Sequence, residues 1–264
     1  MFIDSILVHF NLTNMTTVLT PLTPRTQLSM ADCPTSKDEI AEMATCPYRE
    51  LIGALSWLAL DTQLDIAFAT SSLACFSHNP GCVHWDAAKR ILQYLKGTNA
   101  WCLRLGGKAP EVAAYMDTNW GSHCDNQHSI RAYIIKIGTG AISWKLKKQT
   151  CVALSSTEAE YMALCQVSKE AVWMADFLQN LGVSLHGLMV VNADNQGSIA
   201  LVKNPVFHDC SKHIDIQYHY TCKLTKQERI QLNHIPTKDM LADVLTQSLP
   251  CAQHEHLLKG IGLS

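Results

Sequence analysis

The stretch from Gln149 to Gly182 reads QTCVALSSTEAEYMALCQVSKEAVWMADFLQNLG, and it changes period partway along. Gln149 to Leu154 is a short, partly β-branched run that reads as a strand. Ser155 and Glu158 then form a capping box, and Ala163, Val167, Ala171, Met174, Leu178 and Leu181 recur at gaps of four, four, three, four and three before Gly182. A strand feeding a long, capped amphipathic helix predicts an α/β architecture.

The flanking sequence extends this pattern in both directions. Val112 to Asp117 and Arg131 to Gly138 read as strands upstream. Downstream come a strand over Leu188 to Ala193, a helix from Asp194-Asn195 through Val202, a helical stretch over His208 to Lys226, a strand over Arg229 to Ile235 and a helix over Asp239 to Leu245. The order β-β-β-α-β-α-α-β-α predicts a mixed sheet with helices packed on its faces, over residues 109–250. Gly106-Gly107-Lys108-Ala109-Pro110 marks its start. Before it, residues 48–108 read as a small helical segment, with stripes at Leu51, Ala54, Leu58, Ile66, Ala69 and Leu73, then Trp85, Ala88, Ile91, Leu92 and Leu95 up to Lys96-Gly97. Residues 1–47 read as an irregular connector and 251–264 as a tail.

Composition narrows the function classes. Of 264 residues, 47% are hydrophobic and 17% charged, which excludes disorder, collagen and coiled coil. A formal charge of -2 provides no global basic field, so nucleic-acid binding requires a local patch. The 11 cysteines include no C-x-x-C pair and imply reduced thiols in an intracellular setting, cytoplasmic or nuclear. Cys75, His78, Cys82 and His84 do not repeat a zinc spacing and read as core and polar positions. No apolar run approaches the ~18 residues that span a bilayer, so no membrane partner is expected. Asp4 stands where a signal peptide carries basic residues; the start reads as the interior of a longer chain.

Four carboxylates occupy special places. Asp117 ends the first strand on the face of Ala113 and Tyr115, and Asp194 ends the fourth strand just before a helix. Glu160 lies three residues ahead of Ala163 on the inward stripe, whereas Glu158 is rotated off it as the capping residue. Asp243 sits among Met240, Leu241, Val244 and Leu245. Anions gathered inward are costly, or some of them protonate, unless cations neutralise them, and oxygen-only ligands favour Mg²⁺ or Mn²⁺. From spacing alone, four ordinary surface or capping acids among 23 fit equally well.

Longer strings carry a resemblance. Tyr115-Met116-Asp117-Thr118-Asn119-Trp120, Ala141-Ile142-Ser143-Trp144 with Lys147-Lys148-Gln149, and Ala153-Leu154-Ser155-Ser156-Thr157-Glu158-Ala159-Glu160-Tyr161 resemble the ribonuclease H region of copia-type LTR retrotransposon Pol polyproteins. So do Asp194-Asn195-Gln196, Lys212-His213-Ile214-Asp215-Ile216, and Ile235-Pro236-Thr237 with Leu241-Ala242-Asp243-Val244-Leu245-Thr246. Tyr48 to Gly53, Asp65 to Ala69 and Ala88 to Gly97 are similar to the segment joining that family's reverse transcriptase to its ribonuclease H. The resemblance implies a ribonuclease H-like fold cutting the RNA strand of an RNA–DNA hybrid, with Asp117, Glu160, Asp194 and Asp243 as catalytic, metal-binding acids around two ions. It also implies a missing polymerase portion: the chain has no Asp-Asp pair. The family usually carries an acid where Asn119 stands, and Ser-Thr-Ser-Gly near His128 to Ala132. The loop Pro236 to Met240 has no histidine, and His234 is assigned no role.

Lys145, Lys147, Lys148 and Lys212 are the candidate nucleic-acid contacts, with Lys203, Lys223, Lys226 and Arg229 gathered in the other half of the domain; a solvated face is the competing reading. Trp120 and Trp144 fit nucleotide stacking or, more commonly, the core. His208, Cys210, His213 and His219 read as packing or polar residues rather than zinc ligands. The alternatives to a nuclease are a non-catalytic relic and a module that binds hybrid without cutting it.

Overall fold

The computed structural model describes residues 2–107, 111–121, 128–149, 155–183, 185, 187–203 and 212–264, without the side chains of 212–218. These residues form two compact units, residues 1–102 with 247–256 and residues 103–246 with 257–264.

The first unit is helical: Phe2–His9 (α1), Lys37–Ala44 (α2), Tyr48–Asp61 (α3), Ala67–Ala74 (α4) and Cys82–Gly97 (α5). The stripes on α3 to α5 meet, burying Leu51, Leu58, Ile66, Ala69, Leu73, Ala88, Ile91, Leu92 and Leu95; Ala54 and Trp85 are only partly buried at the rim. Residues 1–47 are more ordered than their composition implies. Helix α2 starts in a full capping box, Ser36 accepting from the Glu39 N–H while Glu39 reaches back, and α1 buries Ile3, Ile6 and Leu7.

The second unit is built on a five-stranded sheet of order β3-β2-β1-β4-β5. Its strands are Val112–Asn119 (β1), Ile130–Ile137 (β2), Gly140–Lys148 (β3), Met189–Ala193 (β4) and Ile230–His234 (β5). The first three run antiparallel, and β4 and β5 run parallel to β1. Helix Ser156–Asn180 (α6) packs Leu164, Val167, Ala171, Met174 and Leu178 against Ala114, Met116, Tyr133, Ile135 and Val191 on one face. Gln196–Lys203 (α7) and Lys212–Lys226 (α8) add to that layer, and the short 3-10 helix Leu241–Leu245 packs on β1 and β2. This is the mixed, helix-flanked sheet that the order of elements predicts.

Two elements differ from expectation. The third strand among the described residues is Gly140–Lys148; of the strand expected over Gln149 to Leu154, Gln149 lies outside any strand and residues 150–154 lie outside the described residues. A tight turn fixes this register: Gly138, at φ +57, brings β3 back beside β2, where a Cβ would sit 2.1 Å from the Gly106 carbonyl oxygen. The stretch expected as a tail contains helix Cys251–Ile261 (α9), whose Leu257, Leu258 and Ile261 are fully buried. Leu181 falls off the buried stripe and is 63% exposed because α6 ends just before it.

Candidate active site

Local chemistry aims each acid. Ser155 caps α6 by accepting the Glu158 N–H at 3.1 Å, so the first helical turn starts at a defined place. The Ala159 carbonyl in that turn accepts from the Gln149 amide at 3.1 Å and, more weakly, from the Thr118 hydroxyl at 3.4 Å. This ties the start of α6 to the end of β1 and brings Glu160 beside Asp117. Asp194 follows the last residue of β4, the strand parallel to β1. Strand alternation, a capped helix and a strand end thus converge on one edge of the sheet.

The structure brings three of the four predicted acids together. One carboxylate oxygen from each of Asp117, Glu160 and Asp194 lies within 4.8 Å of the others. Asp117 and Glu160 are buried and Asp194 is half-buried. Asp243, 1% exposed, stands outside that trio, but its charge reaches Glu160. Burial pushes Glu160 up to about 9, with Asp117, Asp194 and Asp243 adding repulsion. Asp117 rises to about 6, chiefly through burial and then through Asp194; the Thr246 hydroxyl opposes the rise by donating to it.

Two threonines hold this cluster, and spacing did not single them out. The buried Thr246 hydroxyl donates to Asp117 Oδ2, while the Thr246 carbonyl accepts from the Asn119 amide at 3.1 Å. Thr237 donates to Asp194 Oδ2 at 2.7 Å. His234 donates from Nε2 to the Asp194 carbonyl at 3.1 Å, which steadies the strand end and not the carboxylate. Glu160 Oε2 is buried without a hydrogen-bond partner. A buried, unsatisfied carboxylate oxygen facing two other carboxylates fits a hard divalent cation, because the donors are all oxygen and share one charge problem.

The other predicted residues scatter. Lys145 and Lys147 are exposed on β3, Lys148 alternates to the opposite side, and the side chain of Lys212 lies outside the described residues. Arg229 pairs with Asp176 at 2.5 Å, so it is engaged within the protein. Trp120 is 52% exposed, against the usual core role. In the first unit, His84 is buried, accepts from the Gly81 N–H at 2.9 Å and stacks on Phe76, while Cys75 and Cys82 are exposed. His208, Cys210 and the side chain of His213 lie outside the described residues.

Comparison with known proteins supplies the family. The chain is 39% identical over 262 residues, 99% of its length, to the retrovirus-related Pol polyprotein from transposon TNT 1-94 of Nicotiana tabacum, covering 20% of that protein. It is 36% identical over 255 residues, 96% of its length, to the corresponding polyprotein from transposon RE1 of Arabidopsis thaliana, covering 17% of it. It is also 40% identical over 134 residues, half of this chain, to secreted RxLR effector protein 161 of Plasmopara viticola, covering 94% of that protein. The chain belongs to the family of retrovirus-related Pol polyproteins of transposons and spans about a fifth of the length of the first of these relatives. No family model matches it. Among solved structures it is similar to the N-terminal RNase H domain of a Mycobacterium tuberculosis protein, at TM-score 0.39 and 12% identity over 56% of this chain and 96% of that one. It is similar also to a foamy viral protease-reverse transcriptase, at TM-score 0.41 and 11% identity over 76% of this chain and 35% of that one.

Proposed function

We propose that the second unit is a metal-dependent endonuclease that hydrolyses the RNA strand of RNA–DNA hybrids, acting as part of a longer Pol polyprotein that supplies the polymerase. The observation that carries this reading is the convergence of Asp117, Glu160 and Asp194 within 4.8 Å at one sheet edge. These three would hold Mg²⁺ or Mn²⁺, with Asp243 adding negative charge beside them. Bound divalent ions supply charge neutralisation at a phosphate and a water of lowered pKa. The chain's own groups do the positioning: Thr246 fixes Asp117 Oδ2, Thr237 fixes Asp194 Oδ2, and Glu160 keeps one oxygen open. No side-chain nucleophile is needed for such hydrolysis. Hybrid is recognised by shape and 2′-OH, so cleavage is expected without sequence preference.

The test is Mg²⁺-dependent cleavage of an end-labelled RNA–DNA hybrid by the whole chain, beside Asp117→Asn. Cleavage by the wild type and none by the variant is the expected result. Hybrid binding without cleavage in Mg²⁺ and in Mn²⁺ contradicts the reading.

A further inference from the structure

The Thr246 hydroxyl has one proton and two acceptors in reach. It donates to Asp117 Oδ2 on β1, and its oxygen also lies 3.3 Å from the Asp243 carbonyl, three residues back along the chain. Thr246 is the C-cap of the 3-10 helix that carries Asp243, so the bond to that carbonyl is the local one a threonine makes to the turn behind it. The bond to Asp117 joins positions 129 apart and ends on a carboxylate, which makes it the stronger of the two when the geometry permits it. Which acceptor wins depends on how close Thr246 stands to β1.

Asn119 sets that distance. It follows Asp117 by two residues on β1, so alternation puts both side chains on one face of the sheet. Its Nδ2 donates to the Thr246 carbonyl at 3.1 Å, while the Thr246 N–H donates to the Asp243 carbonyl at 3.1 Å. Thr246 is fully buried, and its N–H, carbonyl and hydroxyl are all engaged. Asn119 therefore supplies a tie between β1 and Thr246 that does not run through an acid. We propose that Asn119 is a positioning residue for the divalent-ion site: its amide holds Thr246 against β1, which keeps the hydroxyl on Asp117 Oδ2 and leaves Oδ1 for the ion. Without that tie the hydroxyl falls back on the Asp243 carbonyl, and the Asp117 carboxylate loses the donor that fixes it. This rests on the nuclease reading and adds to it a residue that acts through Thr246 and touches neither ion nor substrate.

The experiment is a double-mutant cycle on the whole chain, read as Mg²⁺ affinity by calorimetry and as hybrid cleavage against Mg²⁺ concentration. Asn119→Ala should weaken Mg²⁺ binding ~10-fold, the low end of the range for a group behind a metal ligand. Asn119→Leu, which has the shape of asparagine and no donor, should do the same and covers the case in which Asn119→Ala folds poorly. Asn119→Leu combined with Thr246→Val should bind Mg²⁺ no more weakly than Thr246→Val alone, because both changes act on one hydroxyl. In cleavage, the Asn119 variants should need ~10-fold more Mg²⁺ for half-maximal rate, yet reach the wild-type kcat at saturating Mg²⁺ with KM for hybrid unchanged. Wild-type Mg²⁺ affinity in the Asn119 variants overturns the proposal and leaves the nuclease reading standing. Losses that add up in the double variant also overturn it, since Asn119 would then act by a route of its own. If the wild type neither binds Mg²⁺ nor cuts hybrid, both readings fail.

Discussion

Each unit buries acids, and the two units handle them differently. In the helical unit Asp65 is 1% exposed and sits at about 6 because it is buried; the Tyr94 hydroxyl donates to it at 2.6 Å, and His254 Nε2 lies 3.3 Å from that hydroxyl. Among the described residues no second carboxylate acts on Asp65. In the sheet unit Glu160 is pushed to about 9 by burial and by three other acids. Both residues leave one oxygen without a hydrogen bond, Asp65 Oδ1 and Glu160 Oε2, so an unsatisfied atom alone does not distinguish a site from a structural group. Like charge does: the fold gives Asp65 a neutral donor and gives Glu160 more anions, an arrangement that protonation or bound cations relieve.

The largest effect that separates the two regions is expected from Asp194→Asn. Its carboxylate is one of the charges raising Asp117 and Glu160. Hybrid cleavage should fall by roughly a thousandfold or more, equivalent to several kcal/mol of transition-state stabilisation. The metal-free variant should melt no lower than the wild type, because removing one like charge relieves repulsion. A clear drop in its metal-free melting temperature would place Asp194 with structural acids such as Asp65.

The helical unit carries two opposed pH dependences. Asp65 is raised from 3.8 to about 6, so the folded chain holds the extra proton and stability falls as pH rises through that window. Burial lowers His254 from 6.5 to about 4, so the unfolded chain holds the extra proton and stability rises from about pH 4 to 6.5. Each displacement is worth roughly 3 kcal/mol at ~1.36 kcal/mol per pH unit, and the two largely cancel. Urea unfolding of Asp65→Asn should expose the rise, and His254→Gln the fall. Parallel profiles for both variants and the wild type would break the account of this network.

A smaller effect sharpens the description of the acid cluster. Thr246→Val removes the donor to Asp117 and should weaken Mg²⁺ affinity ~10- to 100-fold, the usual range for a lost hydrogen bond behind a metal ligand. Thr246→Ser should restore it. Equal Mg²⁺ affinities in the wild type and Thr246→Val, measured calorimetrically, would limit Thr246 to packing.

Local physics made much of this legible. Glu160 stood out as an acid on an apolar helical stripe, Asp117 by alternation and Asp194 by following a strand. The capped start of α6 and the order of elements along the chain could be read from period and turn residues. Thr246 could not, since its bond to Asp117 joins positions 129 apart and nothing local marks a threonine as a donor. The strand Gly140–Lys148 was hard to read because, although Ile142, Trp144 and Leu146 alternate with Ser143, Lys145 and Lys147, it holds three lysines and a single β-branched residue. The Ser36–Glu39 capping box of α2 was hidden in a stretch whose Pro and Thr content suggested irregular chain.

The most direct measurement is a Mg²⁺ titration of the melting temperature of the whole chain, beside Glu160→Gln. If the acids hold divalent ions, Mg²⁺ raises the wild-type melting temperature in a concentration-dependent way and leaves the variant's nearly unchanged. A wild type indifferent to Mg²⁺, or a variant stabilised equally, would contradict the account.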